Sequence, residues 1–290
     1  MSAVSTTKKQ RPDWLKVRLP SGESYFHLKS LMRGKTLHTV CEEARCPNVA
    51  ECWGQGTATF MILGDICTRA CRFCAVKTGM PTVTDLEEPD RVAEAVATMG
   101  LRHAVITSVN RDDLKDGGAR IFAETILSVR RQNPETSIEV LIPDFKGFRE
   151  SLETVLEARP EILAHNIETV PPLYKQVRPG ANYHQSVELL RRSNEIAADT
   201  LTKTGIMVGL GETQDQITDV MKELVDGADV DIFTIGQYLQ PTMEHHPVMR
   251  FYHPDEFEEL ARIGTELGFR HVESGPLVRS SYHAASQIPK

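Results

Sequence analysis

Short runs of β-branched and apolar residues alternate with amphipathic stretches along most of the chain. TATFMIL (57–63), HAVITS (103–108), SIEVLI (137–142), ILAHNIET (162–169), LTKTGIMVGL (201–210) and DIFTIGQYL (231–239) read as six strands. Helical spacing fills the intervals. After Thr213, the residues Ile217, Val220, Met221, Leu224 and Val225 recur on one helical face. Thr213 and Gln216 have capping-box spacing, and Gly227 marks the expected stop. Ile121, Phe122, Thr125, Ile126 and Val129 form a second stripe, and Val92, Ala93 and Val96 between Pro89 and Gly100 a third. Residues 148–157, 183–198 and 255–267 also read as helices.

Strands interleaved with helices imply βαβ units and a parallel sheet. The pattern leaves open whether the sheet closes as a barrel or spreads as a doubly wound layer. Six repeats are too few for the usual eight-stranded barrel. In either arrangement a site lies at the carboxyl ends of the strands. Residues 1–35 are polar and read as a peripheral arm, and no short-period repeat or low-complexity segment is present.

Composition narrows the functional classes. The 290 residues carry 33 Lys+Arg against 40 Asp+Glu, a net charge of −7, with 25% charged and 40% hydrophobic residues. Such a balance describes a soluble globular protein and argues against nucleic acid as a partner. No apolar run approaches the ~18 residues of a membrane span, so no membrane partner is expected. The opening MSAVSTTKKQRPDW lacks an apolar core, so no secretory signal is expected and a cytoplasmic location is the default.

Six cysteines change the picture, because all fall between Cys41 and Cys74. In a reducing compartment, clustered cysteines point to metal rather than disulfides. Cys67, Cys71 and Cys74 follow the first strand in CTRACRFC, with C-x3-C-x2-C spacing. Three thiolates on one short loop can hold three irons of a cubane and leave the fourth open to an amine and carboxylate chelate. Phe73 adds an apolar wall that limits water there. A zinc knuckle is the competing reading, but it wants a fourth Cys or His that this spacing does not supply. Cys41, Cys46 and Cys52, in CEEARCPNVAEC, form a second triplet. Alone they could be buried thiols; beside the first triplet they suggest a second cluster, whose fourth ligand must be oxygen or nitrogen.

The C-x3-C-x2-C triplet after a first strand resembles the radical S-adenosylmethionine (SAM) superfamily. Together with CEEARCPNVAECW, TSVNRDDLKDGGA, HNIETVP, VRPGA and GPLVRSSYHA, it resembles the lipoyl synthase family from about Lys35 to Tyr282. The resemblance implies an α/β fold: a partial (β/α)6 TIM-like barrel over 57–268. An N-terminal extension (1–56) would carry the auxiliary-cluster cysteines, and a tail (269–290) would close the site. It implies two 4Fe-4S clusters and two SAM per product. The auxiliary cluster would be completed by a serine of the RSSY tail, Ser281, with Ser280 the alternative; in an extended tail only one of the two faces the cluster. The implied reaction inserts sulfur at C6 and C8 of an octanoyl chain on a carrier lysine, consuming the auxiliary cluster. Implied partners are octanoylated carrier proteins (2-oxoacid dehydrogenase E2 lipoyl domains or glycine cleavage H protein), a reductant such as ferredoxin or flavodoxin, and an iron-sulfur carrier for repair. Other two-cluster radical SAM enzymes, an electron-transfer or iron-sensing protein, and a zinc protein are the competing classes.

Supporting residues follow from position. Asn110, Arg111 and Asp112 follow the second strand, where the superfamily grips the SAM amino group; a solvated loop is the plain alternative. Asn166 and Glu168 flank Ile167 at the end of the fourth strand, facing the barrel mouth, where the carboxylate could bind ribose hydroxyls. Arg178 could pair with the SAM carboxylate or form a surface salt bridge. The glycines of VGLGE (208–212) could admit adenine or simply make a turn. Gln237 and Tyr238 could face substrate, although Tyr238 equally suits a core. His245 and His246 read as loop histidines. No dinucleotide-binding glycine fingerprint is present.

Overall fold

The computed structural model describes residues 11–16, 30, 32–35, 37–39, 48–54 and 57–287. Ten strands are formed: β1 (His38–Thr39), β2 (Thr57–Ile62), β3 (Ile66–Cys67), β4 (Lys77–Thr78), β5 (His103–Ser108), β6 (Ser137–Leu141), β7 (Ile162–Ala164), β8 (Leu201–Val208), β9 (Ile232–Gln237) and β10 (His271–Gly275). Eight of them make one sheet in the order β1-β2-β5-β6-β7-β8-β9-β10. All its pairings are parallel except that of β1 with β2. The helices are α1 (Val49–Gly54), α2 (Glu88–Met99), α3 (Ala119–Gln132), α4 (Arg149–Glu157), α5 (Tyr174–Val177), α6 (Tyr183–Ile196), α7 (Gln214–Ala228) and α8 (Pro254–Leu267). Consecutive parallel strands joined by crossover helices give the partial TIM-like α/β barrel, left open between its first and last strands.

Local chemistry fixes the helix ends. Gly100 closes α2 in the left-handed region at φ 59°, as its position after the apolar stripe predicts. Thr213 and Gln216 form the expected reciprocal capping box on α7. Gly227, expected to stop that helix, lies inside it; Asp229 takes the left-handed C-cap instead.

Two other sequence expectations change. A seventh parallel strand, β10, lies in the segment expected to be tail, and it pairs with β9 from His271↔Ile232 to Gly275↔Gly236. The expected strand 162–169 ends early at Ala164. Beyond it, His165 turns outward, hydrogen-bonding the Ile142 carbonyl and the Ser186 hydroxyl at 2.9 Å each. The chain returns to the sheet only at Glu168, whose φ of 66° breaks the ladder.

Strand alternation sorts side chains between two cores. Ala58, Phe60 and Ile62 of β2, Ala104 and Ile106 of β5, and Ile138 and Val140 of β6 pack in one apolar cluster with α2, α3 and α4. Ile206 and Val208 of β8 and Phe233 and Ile235 of β9 pack with α6, α7 and α8. The opposite faces are polar. Low in the barrel, buried Lys203 holds Glu139 at 2.9 and 3.1 Å. His103 lies 3.5 Å from the same carboxylate. A buried pair of this kind is costly to break by removing one member.

After Gly275, a turn closed by the Val278 N–H on the Gly275 carbonyl folds the chain back against the sheet. A Cβ on Gly236 would lie 2.1 Å from the Val278 carbonyl oxygen. Gly236 is therefore the seat of the tail. Substituting Gly236→Ala should displace residues 276–283 while leaving the barrel intact. Limited proteolysis should then cut in the tail, with a loss of about 1–3 kcal/mol in unfolding free energy; an uncut tail would show that Val278 does not sit there.

Candidate active site

The cysteine triplet begins where β2 ends, and the backbone there is forced. Leu63 and Gly64 both have positive φ, 68° and 89°. The Leu63 N–H is held by the buried Glu88 carboxylate at 2.7 Å. Burial pushes the Glu88 carboxyl up from its ordinary value, against the pull of that N–H. Gly118 gives Leu63 room, since a Cβ there would meet its Cδ1 at 2.3 Å. The loop is then stapled at its base by β3 and β4, with Cys67 opposite Thr78 and the Gly79 N–H on the Cys67 carbonyl.

Arg69, inside this loop, makes two forked ion pairs. It holds Asp112 at 2.7 and 2.9 Å and Asp144 at 2.8 and 2.7 Å. These carboxylates stand beyond the carboxyl ends of β5 and β6, so one guanidinium ties the cysteine loop to two strands. Asp112 therefore holds the cysteine loop through Arg69. Arg111 is equally removed from solvent: it forks onto Asp113 at 2.8–3.1 Å and reaches the Leu63 and Val83 carbonyls. The solvated-loop alternative fails with it.

Asn110 joins the loop through its backbone. Its N–H points at the Cys67 sulfur at 3.3 Å, as does that of Arg69 at 3.4 Å. Its carbonyl accepts from the Thr68 N–H and hydroxyl, both at 3.0 Å. On the far side, His245 hydrogen-bonds the Cys74 carbonyl at 2.9 Å and the His246 N–H donates to Arg72. Both histidines thus act as loop braces, as their positions suggested. Phe73 packs with Val177, Leu210 and Tyr238.

The three thiols are free and half-buried. Burial pushes the Cys71 thiol up, and that of Cys74 to about 11. A positively charged metal group is what would favour their thiolates. Among the described residues, no three His, Cys, Asp or Glu side chains converge on one metal ion. A cubane asks for something different, three thiolates on three separate irons, and the soft donor set with two N–H groups on Cys67 fits it.

Beside the triplet lies a second polar group. Arg178 is buried and donates from Nη1 to the Asn166 and Ile167 carbonyls and the Tyr174 hydroxyl at 2.8, 3.3 and 2.9 Å. It is not in a surface salt bridge. Its Nε and the Asn166 Oδ1 are buried without partners. Burial pushes the Glu168 carboxyl up, opposed by Arg178 and the Asn166 amide. Buried donors and acceptors left unmatched in a folded chain call for a partner, which an ordered water, an ion or a polar ligand can supply.

Three expected contacts take structural roles. The Glu212 carboxylate accepts the N–H groups of Gly209, Leu210 and Gly211 at 2.6–3.0 Å, plus the Tyr252 hydroxyl, so VGLGE is a self-capped turn. Gln237 is spent on the Val208, Tyr238 and Arg250 carbonyls and the Tyr252 N–H. Tyr238 is buried, with its hydroxyl on the His246 carbonyl at 2.7 Å.

The tail reaches the N-terminal extension. Asn48 donates to the Leu277 carbonyl at 2.7 Å, and the Tyr282 hydroxyl meets both Glu51 oxygens at 3.2 Å. Burial and the nearby Glu51 push the Tyr282 hydroxyl to about 12, with Cys52 contributing. Ser280 and Ser281 therefore lie near half-buried Cys52, whereas Cys41 and Cys46 lie outside the described residues. Residues 279–282 form a turn, with the Tyr282 N–H on the Arg279 carbonyl, so the extended-tail argument for choosing between the serines does not apply.

Sequence reasoning missed Arg69, Glu88, Asp144 and Glu212. The signal for the first lay in view: an arginine inside the triplet and an aspartate just beyond each of two strands. Burial pushes the Asp144 carboxyl up, but the Arg69 bonds outweigh it and hold it below its ordinary value. The clamp's contribution is therefore complete above about pH 4, the ordinary aspartate range, and is lost as pH falls through the depressed value. Arg69→Met should cost about 3–5 kcal/mol at neutral pH and reverse this acid limb, measured by denaturant unfolding from pH 7 to pH 3. An unchanged acid limb would show that the clamp is not formed.

The matched family models are the radical SAM superfamily over residues 61–224 and the N-terminal domain of lipoyl synthase over residues 2–46. The lipoyl synthase of Shouchella clausii is 60% identical over 280 residues, 96% of this chain and 90% of that one. That of Rubrobacter xylanophilus is 60% identical over 277 residues, 96% and 86% of the two chains. Among solved structures, methylornithine synthase superposes with a TM-score of 0.56 at 14% identity, covering 88% of this chain and 79% of that one. SuiB of Streptococcus suis, bound to its precursor peptide, gives 0.57 at 11% identity over 86% and 52%. These two share the fold. Identity near 60% over almost the whole chain cannot be confined to a common barrel, and the chain belongs to the lipoyl synthase family of radical SAM enzymes.

Proposed function

We propose that the chain inserts sulfur at C6 and C8 of an octanoyl group held on the lysine of a carrier domain, completing the lipoyl cofactor. The observation that carries this reading is the contact of the RSSY tail with α1. The Tyr282–Glu51 bond joins the RSSY tail to the helix that carries Cys52, and Val278 of the same tail sits on Gly236 near the carboxyl end of β9. A sulfur source and a radical source at one mouth are what sulfur insertion needs.

In this reading Cys67, Cys71 and Cys74 would hold a 4Fe-4S cluster with an open iron for SAM; together the two would supply the radical chemistry that activates an unactivated C–H bond. Phe73 keeps water from the cluster. Asn110 sets the Cys67 sulfur through its N–H. Arg178 and Asn166 offer the unmatched donor and acceptor for the SAM amino-acid end, and Glu168 an acceptor for ribose hydroxyls. Cys41, Cys46, Cys52 and Ser281 hold the second 4Fe-4S cluster, which is spent as the sulfur substrate, so two SAM and one cluster serve each product. The substrates are octanoylated carrier proteins: 2-oxoacid dehydrogenase lipoyl domains or the glycine cleavage H protein. A ferredoxin or flavodoxin supplies electrons, and an iron-sulfur carrier restores the spent cluster. The setting is cytoplasmic; among the described residues no helix is long and apolar enough to cross a membrane.

Anaerobic reconstitution should load about eight irons per chain. Cys52→Ala should keep about four and still cleave SAM, but form no lipoyl group. Ser281→Ala should likewise lose product while keeping SAM cleavage. Full product from Ser281→Ala together with none from Ser280→Ala would assign the ligand to Ser280. Wild-type enzyme that cleaves SAM without modifying an octanoylated domain would overturn the reaction.

A further inference from the structure

A substrate attached to a protein must be delivered by that protein, so the mouth of the barrel has to accept a macromolecule as well as a chain. The molecule as a whole is acidic, at −7, but its rim is not. In the loops after β2, β5 and β6 the carboxylates, apart from exposed Glu87 just before α2, are engaged within the chain. Arg69 takes Asp112 and Asp144, Arg111 takes Asp113, and Lys77 takes Asp65. Asp116 is spent on the Gly118 and Arg120 N–H groups.

The cations of the same rim are not answered in this way. Arg72, Lys115, Lys146 and Lys175 are exposed. Among the described residues, none of the four side chains makes an ion pair. Two hydrogen bonds bring them toward the loop that carries Arg69. Lys146 Nζ donates to the Asp112 carbonyl at 2.7 Å, three residues from Lys115. The Arg72 N–H donates to the Val177 carbonyl at 2.9 Å, two residues from Lys175.

Next to Lys146 the surface opens into a cleft of about 450 Å³ between α4 and α6, lined in part by Phe148, Arg149, His184 and Arg192. Phe148 stands at the N-cap of α4, where a polar cap is usual, and is 51% exposed. Arg149 and Arg192 are answered by Glu153 and Glu188, so the charge bordering Phe148 is that of Lys146; an exposed aromatic beside such a charge has the anatomy of a docking anchor and its rim.

We propose that this basic rim and cleft dock an acidic face of the carrier domain, with Phe148 as the apolar anchor, so that the octanoyl-lysine enters the mouth beside Arg69. The proposal rests on the reaction argued above. Long-range attraction steers the encounter, and the cleft fixes its orientation. An electron donor could use the same charge; the delivery of a protein-bound substrate through this mouth favours the carrier.

The test compares the reconstituted wild-type enzyme with Lys115→Glu/Lys175→Glu, using an octanoylated 2-oxoacid dehydrogenase lipoyl domain as the probe. Calorimetric binding to the domain should weaken about tenfold at low salt, and its salt dependence should shrink. With dithionite as reductant, KM for the domain should rise while kcat stays. Turnover of a short octanoyl-lysine peptide should be unchanged, and Lys115→Arg/Lys175→Arg should bind as the wild type does. Phe148→Ala should weaken binding of the domain without altering the salt slope. Equal affinity of the charge-reversed variant for the domain would overturn the proposal. So would a defect that appears only when flavodoxin or ferredoxin replaces dithionite, which would assign the rim to the donor. A wild type that binds the domain with the expected salt dependence but makes no lipoyl group would sink the reaction and leave the docking surface standing.

Discussion

Three thiols on one loop are useful only if the loop has a single conformation, and a short irregular segment has no ladder of its own to enforce one. In this protein a single guanidinium supplies the constraint. Arg69 forks onto Asp112 and Asp144, whose own positions are set by β5 and β6. A planar cation with five fixed donors suits this task; a lysine would offer a point charge and no fork. The neighbouring bonds depend on that registration. With the loop held, the N–H groups of Asn110 and Arg69 reach the Cys67 sulfur, and Thr68 reaches the Asn110 carbonyl. Without it, Asp144 would be a buried carboxylate with no cation beside it.

Backbone strain follows the same geography. Leu63, Phe145, Lys146 and Glu168 all have positive φ without being glycine. Each lies just past the carboxyl end of β2, β6 or β7, the end where barrel sites are built. Left-handed backbone at such residues persists only where the surroundings fix it. Here the fixing groups are identifiable: Glu88 on the Leu63 N–H, Asp144 on the Lys146 N–H, and the Gly205 carbonyl accepting the Glu168 N–H. At the opposite end the positive-φ residues outside glycine follow helix ends, Arg159 after α4 and Asp229 closing α7, and the Lys203–Glu139 pair lies in the barrel instead of a strained loop.

Periodicity made the barrel walls readable, because alternation and helical spacing are local properties of β2, β5, β6, β8 and β9 and of the helices between them. It failed where tertiary contacts overrode the local pattern. ILAHNIET has strand composition throughout, but His165 finds Ser186 on α6 and pulls the segment off the sheet after Ala164. HVESG, short and partly polar, joins the sheet because β9 presents a free edge to it. In the site, cysteine spacing identified the loop, since ligand geometry is written into sequence intervals. For Asp112 and Gln237 the sequence left the role open, because a polar residue at a strand end suits a ligand and a brace equally; the brace contacts depend on the positions of Arg69 and Tyr252.

The contacts that close the mouth join residues far apart in the chain. Asn48 and Leu277 are separated by 229 positions, and Glu51 and Tyr282 by 231. Contacts of such range cannot guide the early steps of folding, since every intervening barrel unit must first be in place for the ends to meet. The Tyr282–Glu51 bond is also open to solvent. The walls therefore come first, and the closure is the last feature acquired and the cheapest to undo. An order of assembly follows in which the barrel is finished before the tail crosses Gly236 and meets α1.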